Sequence, residues 1–122
     1  MAKHLETGQK GEDIAVRFLK NKNWEILEVN WRYSRAEVDI IAKDLEVLVF
    51  LEVKTRTDDY FGKPDAFVTP KKEKLLADAA SVYMEKIGHE WEIRFDVISI
   101  LIKGENEYEI RHFKDAFFPG LK

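Results

Sequence analysis

The chain contains no cysteine. That excludes disulfide cross-links and any zinc site built on thiolates, and it fits a reducing, cytoplasmic setting. No apolar run approaches the roughly 18 residues needed to cross a bilayer, so no membrane association is expected. Residues 1–6 lack the apolar core that a signal peptide needs. Internal repeats and linkers are also missing, and residues 1–122 are expected to form one domain. Base is not in excess: the net charge of −3 counts against nucleic-acid binding, because such domains are usually basic.

The distribution of charge softens that objection. Residues 85–109 hold seven acids against three bases. Arg32, Arg35, Lys54, Arg56, Lys63, Lys71, Lys72 and Lys74 fall instead around a pair of acids earlier in the chain. A solvated mixed surface and a divided one, basic on one face and acidic on the other, both fit this pattern. The hydrophobic share of 45% is that of a globular protein, and the aromatic share of 12% argues against disorder.

Periodicity predicts an α/β domain in the order αβββαββ. A helix is expected from about Thr7, as N-cap, to Lys22, with Ile14, Ala15, Phe18 and Leu19 on one stripe and Glu12 bordering it. Strands follow at about 24–29, 37–42 and 46–55, forming an antiparallel meander, with 30–35 as a loop and Lys43-Asp44 as a turn. Residues 56–68 resist any periodic reading and are expected to form a long functional loop. Thr69-Pro70 starts a second helix and Gly88 stops it. Strands at about 91–102 and 107–113 complete a mixed sheet, the fourth parallel to the third.

The chemistry concentrates on Asp39 and on Glu52-Val53-Lys54. Alternation puts Glu52 and Lys54 on one face of a strand whose preceding residues, Val47 to Leu51, are apolar on both faces. The two acids lie 13 residues apart, the spacing of two strands joined by a tight turn. Paired carboxylates with the Val53 carbonyl suit magnesium, or manganese, and Lys54 suits the stabilisation of charge at a phosphate. A cross-strand salt bridge on a solvated face is the competing reading of the same residues.

Other candidates are weaker. Arg32, Arg35 and Arg56 offer forked donors near the acids, suited to phosphate contacts or to surface ion pairs. Glu37 shares the face of Asp39 and is expected to pair with a base such as Arg56. Asp96, inside an apolar strand, needs a buried hydrogen-bonding partner. Lys71, Lys72 and Lys74 read as a solvated helix start, and no two of the three histidines have ligand spacing. Trp31 is the one tryptophan placed where base stacking is conceivable.

Several ordered motifs together resemble the YraN family of small bacterial proteins, within the restriction-endonuclease-like superfamily and similar to archaeal Holliday-junction resolvases. They are Gly11-Glu12-Asp13-Ile14-Ala15, Asn30-Trp31-Arg32, residues 37–41, residues 49–56 and Arg94-Phe95-Asp96-Val97, spanning about residues 7–100. The resemblance implies a restriction-endonuclease-like mixed β-sheet flanked by helices. It implies a magnesium-dependent endonuclease acting on DNA, branched or otherwise structured, with Asp39 and Glu52 as metal ligands, Lys54 as catalytic lysine and Glu12 as a helix-borne catalytic acid. Junction cutting needs matched incisions, which a homodimer would supply. A nuclease-fold binding module without turnover is the alternative.

Overall fold

The computed structural model describes residues 2–57 and 69–117, with side chains from residue 8. The element order is α1 (Ala2–Asn21), β1 (Glu25–Tyr33), β2 (Ala36–Asp44), β3 (Val47–Arg56), α2 (Pro70–Ile87), β4 (Ile93–Ile102) and β5 (Tyr108–Phe113). The expected α/β order is therefore observed. The five strands lie side by side in chain order. β1, β2 and β3 form the antiparallel meander, β3 and β4 are parallel, and β5 returns antiparallel to β4.

The alternation of β3 builds two cores. Leu48 and Phe50 join a cluster with Leu76, Ala79, Ala80 and Tyr83 of α2, together with Phe95 and Val97 of β4. Val49 and Leu51 join Ile14, Ala15 and Leu19 of α1, with Ile98 and Ile100 of β4. Each helix thus covers one face of the sheet, as the two-sided apolar pattern of β3 requires. Full burial of each such side chain contributes roughly 1.5–3 kcal/mol, so β3 and β4 anchor the domain.

α2 is bounded by its own sequence. The Thr69 Oγ1 accepts from the Lys72 N–H at 3.2 Å, Pro70 follows at the first helical position, and Gly88 closes the helix at φ 69°. Because β3 and β4 are parallel, α2 must run back along the sheet from the C-terminal end of β3. Its first turn consequently stands beside the last residues of that strand.

α1 approaches β3 closely at Gly11. A Cβ there would lie 1.9 Å from the Thr55 Oγ1, 3.0 Å from its Cβ and 3.1 Å from its Cγ2. Thr55 is β-branched and cannot rotate every branch away. Gly11→Ala is expected to destabilise the protein by about 1–3 kcal/mol despite the better helix propensity of alanine. A urea titration of both proteins measures this directly, and an unchanged midpoint would refute the close packing.

Four boundaries differ from the expectations. α1 begins at Ala2, so Thr7 lies inside the helix instead of capping it. β1 runs through the supposed loop to Tyr33, because Trp31 and Tyr33 pair with Val38 and Ala36, leaving Ser34-Arg35 as the turn. The next hairpin turns at Leu45-Glu46, since Asp44 pairs with Val47. β4 starts at Ile93, after Trp91, which is 62% exposed. The long loop expected over residues 56–68 lies mostly outside the described residues; Arg56 is the last residue of β3.

Candidate active site

β2 and β3 part company at one point, and the candidate site occupies the gap. Their ladder ends at the Ile40–Leu51 pair. One residue beyond, the Asp39 carboxylate accepts the Val53 N–H at 2.7 Å, replacing a backbone partner with a side chain. Asp39 is thereby fixed against β3, with part of its carboxylate facing the cleft at α2. That cleft is lined by Arg35, Glu37, Thr69, Lys71 and Lys72 besides Asp39.

Glu52 is 5% exposed and carries a charge that burial alone would make costly. Two ammonium groups answer it. Lys54 Nζ stands 3.1 Å and Lys72 Nζ 2.6 Å from the same oxygen, Oε2. Lys72 belongs to the first turn of α2 and was read from sequence as solvated. The crossover places it: a helix returning from the end of β3 brings that turn to the strand's C-terminal residues. Sequence spacing alone holds no sign of this contact, but the βαβ connection does.

The carboxylates crowd one another. Burial, then the neighbouring Glu52 charge, raises the Asp39 pKa from its ordinary value to about 7, with the Val53 N–H only partly offsetting them. Glu12 of α1 contributes to the same repulsion. Glu12 itself is raised by burial, against a hydrogen bond from Asn30 Nδ2 at 3.0 Å. Asn30 sits at φ 56° within β1, a left-handed residue that aims its amide at the helix. Three acids from α1, β2 and β3 are thus electrostatically coupled across the end of the sheet.

The donor set suits a hard divalent cation, with oxygen from Asp39, Glu52 and the Val53 carbonyl. Among the described residues no group of three or more histidine, aspartate or glutamate side chains stands at ligand geometry. A cation here would rest on the pair and complete its shell with water, as magnesium usually does.

The basic candidates divide. Arg35 lines the cleft. Arg32 makes an exposed ion pair with Glu37 at 3.7 Å, so the expected basic partner of Glu37 is present, and it is Arg32 that the structure shows there. Arg56 donates to the neighbouring Thr55 carbonyl at 3.4 Å. Trp31 is partly buried against the core, parallel to the Tyr33 ring at 6.4 Å and edge-on to Tyr83 at 5.1 Å.

Asp96 is fully buried and plays no part in this site. Arg94 grips it at 2.9 and 3.0 Å, His112 Nε2 lies 2.8 Å away, and the Asp115 N–H donates at 2.9 Å. The expected hydrogen-bonded carboxylate is observed, with partners from three places in the chain.

No helix among the described residues is long and apolar enough to cross a membrane. The model of the uncharacterised protein family UPF0102 matches residues 11–100. A UPF0102 protein of Christiangramia forsetii is 49% identical over 97% of this chain and 98% of its own length. One from Flavobacterium psychrophilum is 46% identical over the same shares. A relative from Thermodesulfovibrio yellowstonii is 41% identical over 93% of this chain and 97% of its own.

Proposed function

The chain belongs to the uncharacterised protein family UPF0102, the YraN family its motifs resembled, and we propose that it is a magnesium-dependent endonuclease of DNA. Branched or structured DNA is the proposed substrate. The observation that carries the proposal is the placement of Asp39 and Glu52 in one gap of the sheet, with two lysines on the same Glu52 oxygen. A carboxylate raised to about 7 beside another that is nearly fully buried is the kind of perturbed pair that clusters at functional sites.

Asp39, Glu52 and the Val53 carbonyl would hold the metal, with manganese an acceptable substitute. When bound, the cation activates water and neutralises charge on the phosphate. The chain's own residues do the rest. Lys54 meets the negative charge that develops on the phosphoryl oxygens during in-line attack. Glu12, whose pKa burial raises, supports the proton balance from the helix side. Arg35 contacts the backbone phosphate from the cleft wall, with Arg32 and Arg56 further along the same end of the sheet. A homodimer would present two such sites for paired incisions.

A second reading has its own observation. The Lys72–Glu52 contact at 2.6 Å already balances the charge that a cation would balance. A nuclease fold used only for binding DNA, or a partner, would keep that arrangement.

Cleavage of labelled duplex, single-stranded, flap and four-way-junction DNA with magnesium or manganese separates the two. The proposal expects metal-dependent cutting that falls by at least about 100-fold in Lys54→Ala. Salt-sensitive binding without cutting by either protein would establish the binding module instead.

A further inference from the structure

A second polar constellation lies apart from the proposed nuclease residues and centres on Lys22, just beyond α1. Its Nζ is 3.3 Å from His112 Nδ1. His112 is held in turn by its other nitrogen, Nε2, at 2.8 Å from the Asp96 carboxylate. The His112 side chain is 5% exposed and Asp96 is not exposed at all, so a buried pair supports an amine that is itself exposed and open to a reagent. The carboxylate accepts the Nε2–H and so fixes the tautomer, leaving the Nδ1 lone pair toward the lysine.

The amine also stands beside two aromatic rings. Lys22 Nζ stands 4.7 Å above the Phe18 ring and 5.9 Å from the Trp24 ring. Burial, then the Lys114 charge, lowers its pKa from the ordinary lysine value, against Asp44 and Asp96, which raise it. Lys114 Nζ and Arg94 Cζ lie on the same indole, at 5.9 and 5.4 Å, and supply positive charge beside the amine.

We propose that Lys22 is an acylation site, served by His112 as base and by acyl phosphates as donor class. Lys22 gives a proton to His112 Nδ1, and the neutral amine attacks the acyl carbon. A C–N bond forms, the carbon–oxygen bond to phosphate breaks, and phosphate leaves with the electron pair. His112 releases the first proton to solvent before it takes the second from the nitrogen. Lys114 meets the anionic leaving group. The product amide carries no charge, which removes one of the three cations around Trp24.

The test treats the full chain with acetyl phosphate and follows each lysine by quantitative peptide mass spectrometry. Lys20, exposed on the same helix turn, is the internal reference. Lys22 is expected to be acetylated on the order of tenfold faster than Lys20, and at the rate of Lys20 in His112→Asn. Equal rates in the wild type overturn the proposal, as does an unchanged Lys22 rate in a folded His112→Asn. Should that variant lose its circular dichroism signature, a wild-type series from pH 7 to about 10 decides. A Lys22-to-Lys20 rate ratio that falls as pH rises supports the activated amine, and a constant ratio refutes it.

Discussion

Asp39→Asn is expected to stabilise the metal-free protein at neutral pH by about 2–4 kcal/mol while removing the proposed DNA cleavage. The carboxyl group has a folded pKa of about 7 against an ordinary value of 3.8. The folded state therefore binds the proton more tightly, and its stability is greatest below the ordinary value. It falls as pH rises from about 4 to about 7 and is flat beyond. The full shift corresponds to about 4 kcal/mol, reduced because the group is partly exposed. Asparagine carries no charge to repel Glu52 and still accepts the Val53 N–H. The check is a set of urea titrations of both proteins from pH 4 to 8. A wild-type curve that rises across this range would contradict the crowded-carboxylate account. Magnesium supplies the complementary experiment: it is expected to raise wild-type stability most above pH 7 and to leave Asp39→Asn unchanged.

Asp96→Ala is expected to cost about 3–5 kcal/mol, which for a domain of this size approaches loss of the fold. The substitution takes from the Arg94 guanidinium, the His112 ring and the Asp115 N–H the buried carboxylate they share, leaving Arg94 its 3.9 Å contact with Asp44. Burial alone would raise the Asp96 pKa, yet hydrogen bonds from His112 and Arg94 and from the Asp115 backbone outweigh it and hold the group below its ordinary value. A depressed carboxylate stabilises above its unfolded pKa, and that contribution is lost as pH falls. The wild type should accordingly lose stability in acid through Asp96 while gaining it through Asp39. Denaturant midpoints for Asp96→Ala within about 0.5 kcal/mol of wild type would show that the network carries little stability.

Asp39, Glu52 and Lys54 were legible because charge interrupts an apolar strand, and such interruptions stand out in a one-dimensional pattern. The caps of α2 were legible too: Thr69, Pro70 and Gly88 act within a few residues of their own position. Lys72 was not. Its contact with Glu52 crosses 20 residues, and only the path of the chain over the sheet creates it. The course of β1 was misread for a different reason. Asn30 and Ser34 are turn-forming residues with φ 56° and 57°, yet the first is an irregularity within a strand whose pairing with β2 continues to Tyr33. Cross-strand pairing overrode local preference there. The pairing of Glu37 with a base was legible, but Arg32 was hidden as that base because it read as loop, when in the ladder it stands directly opposite.

The sheet's spatial order equals its chain order, and this shapes how the protein is made. As synthesis proceeds, β2 emerges beside a finished β1, and β3 beside a finished hairpin. Neither step requires a distant segment to be found. The parallel β3–β4 pairing alone must wait for a long closure, and by then β3 already presents both apolar faces, one to α1 and one to the arriving α2. Folding is therefore expected to be fast for the meander and limited by docking of the crossover. During that wait the open edge of β3, apolar without a break from Val47 to Leu51, is the segment most exposed to pairing with another nascent copy.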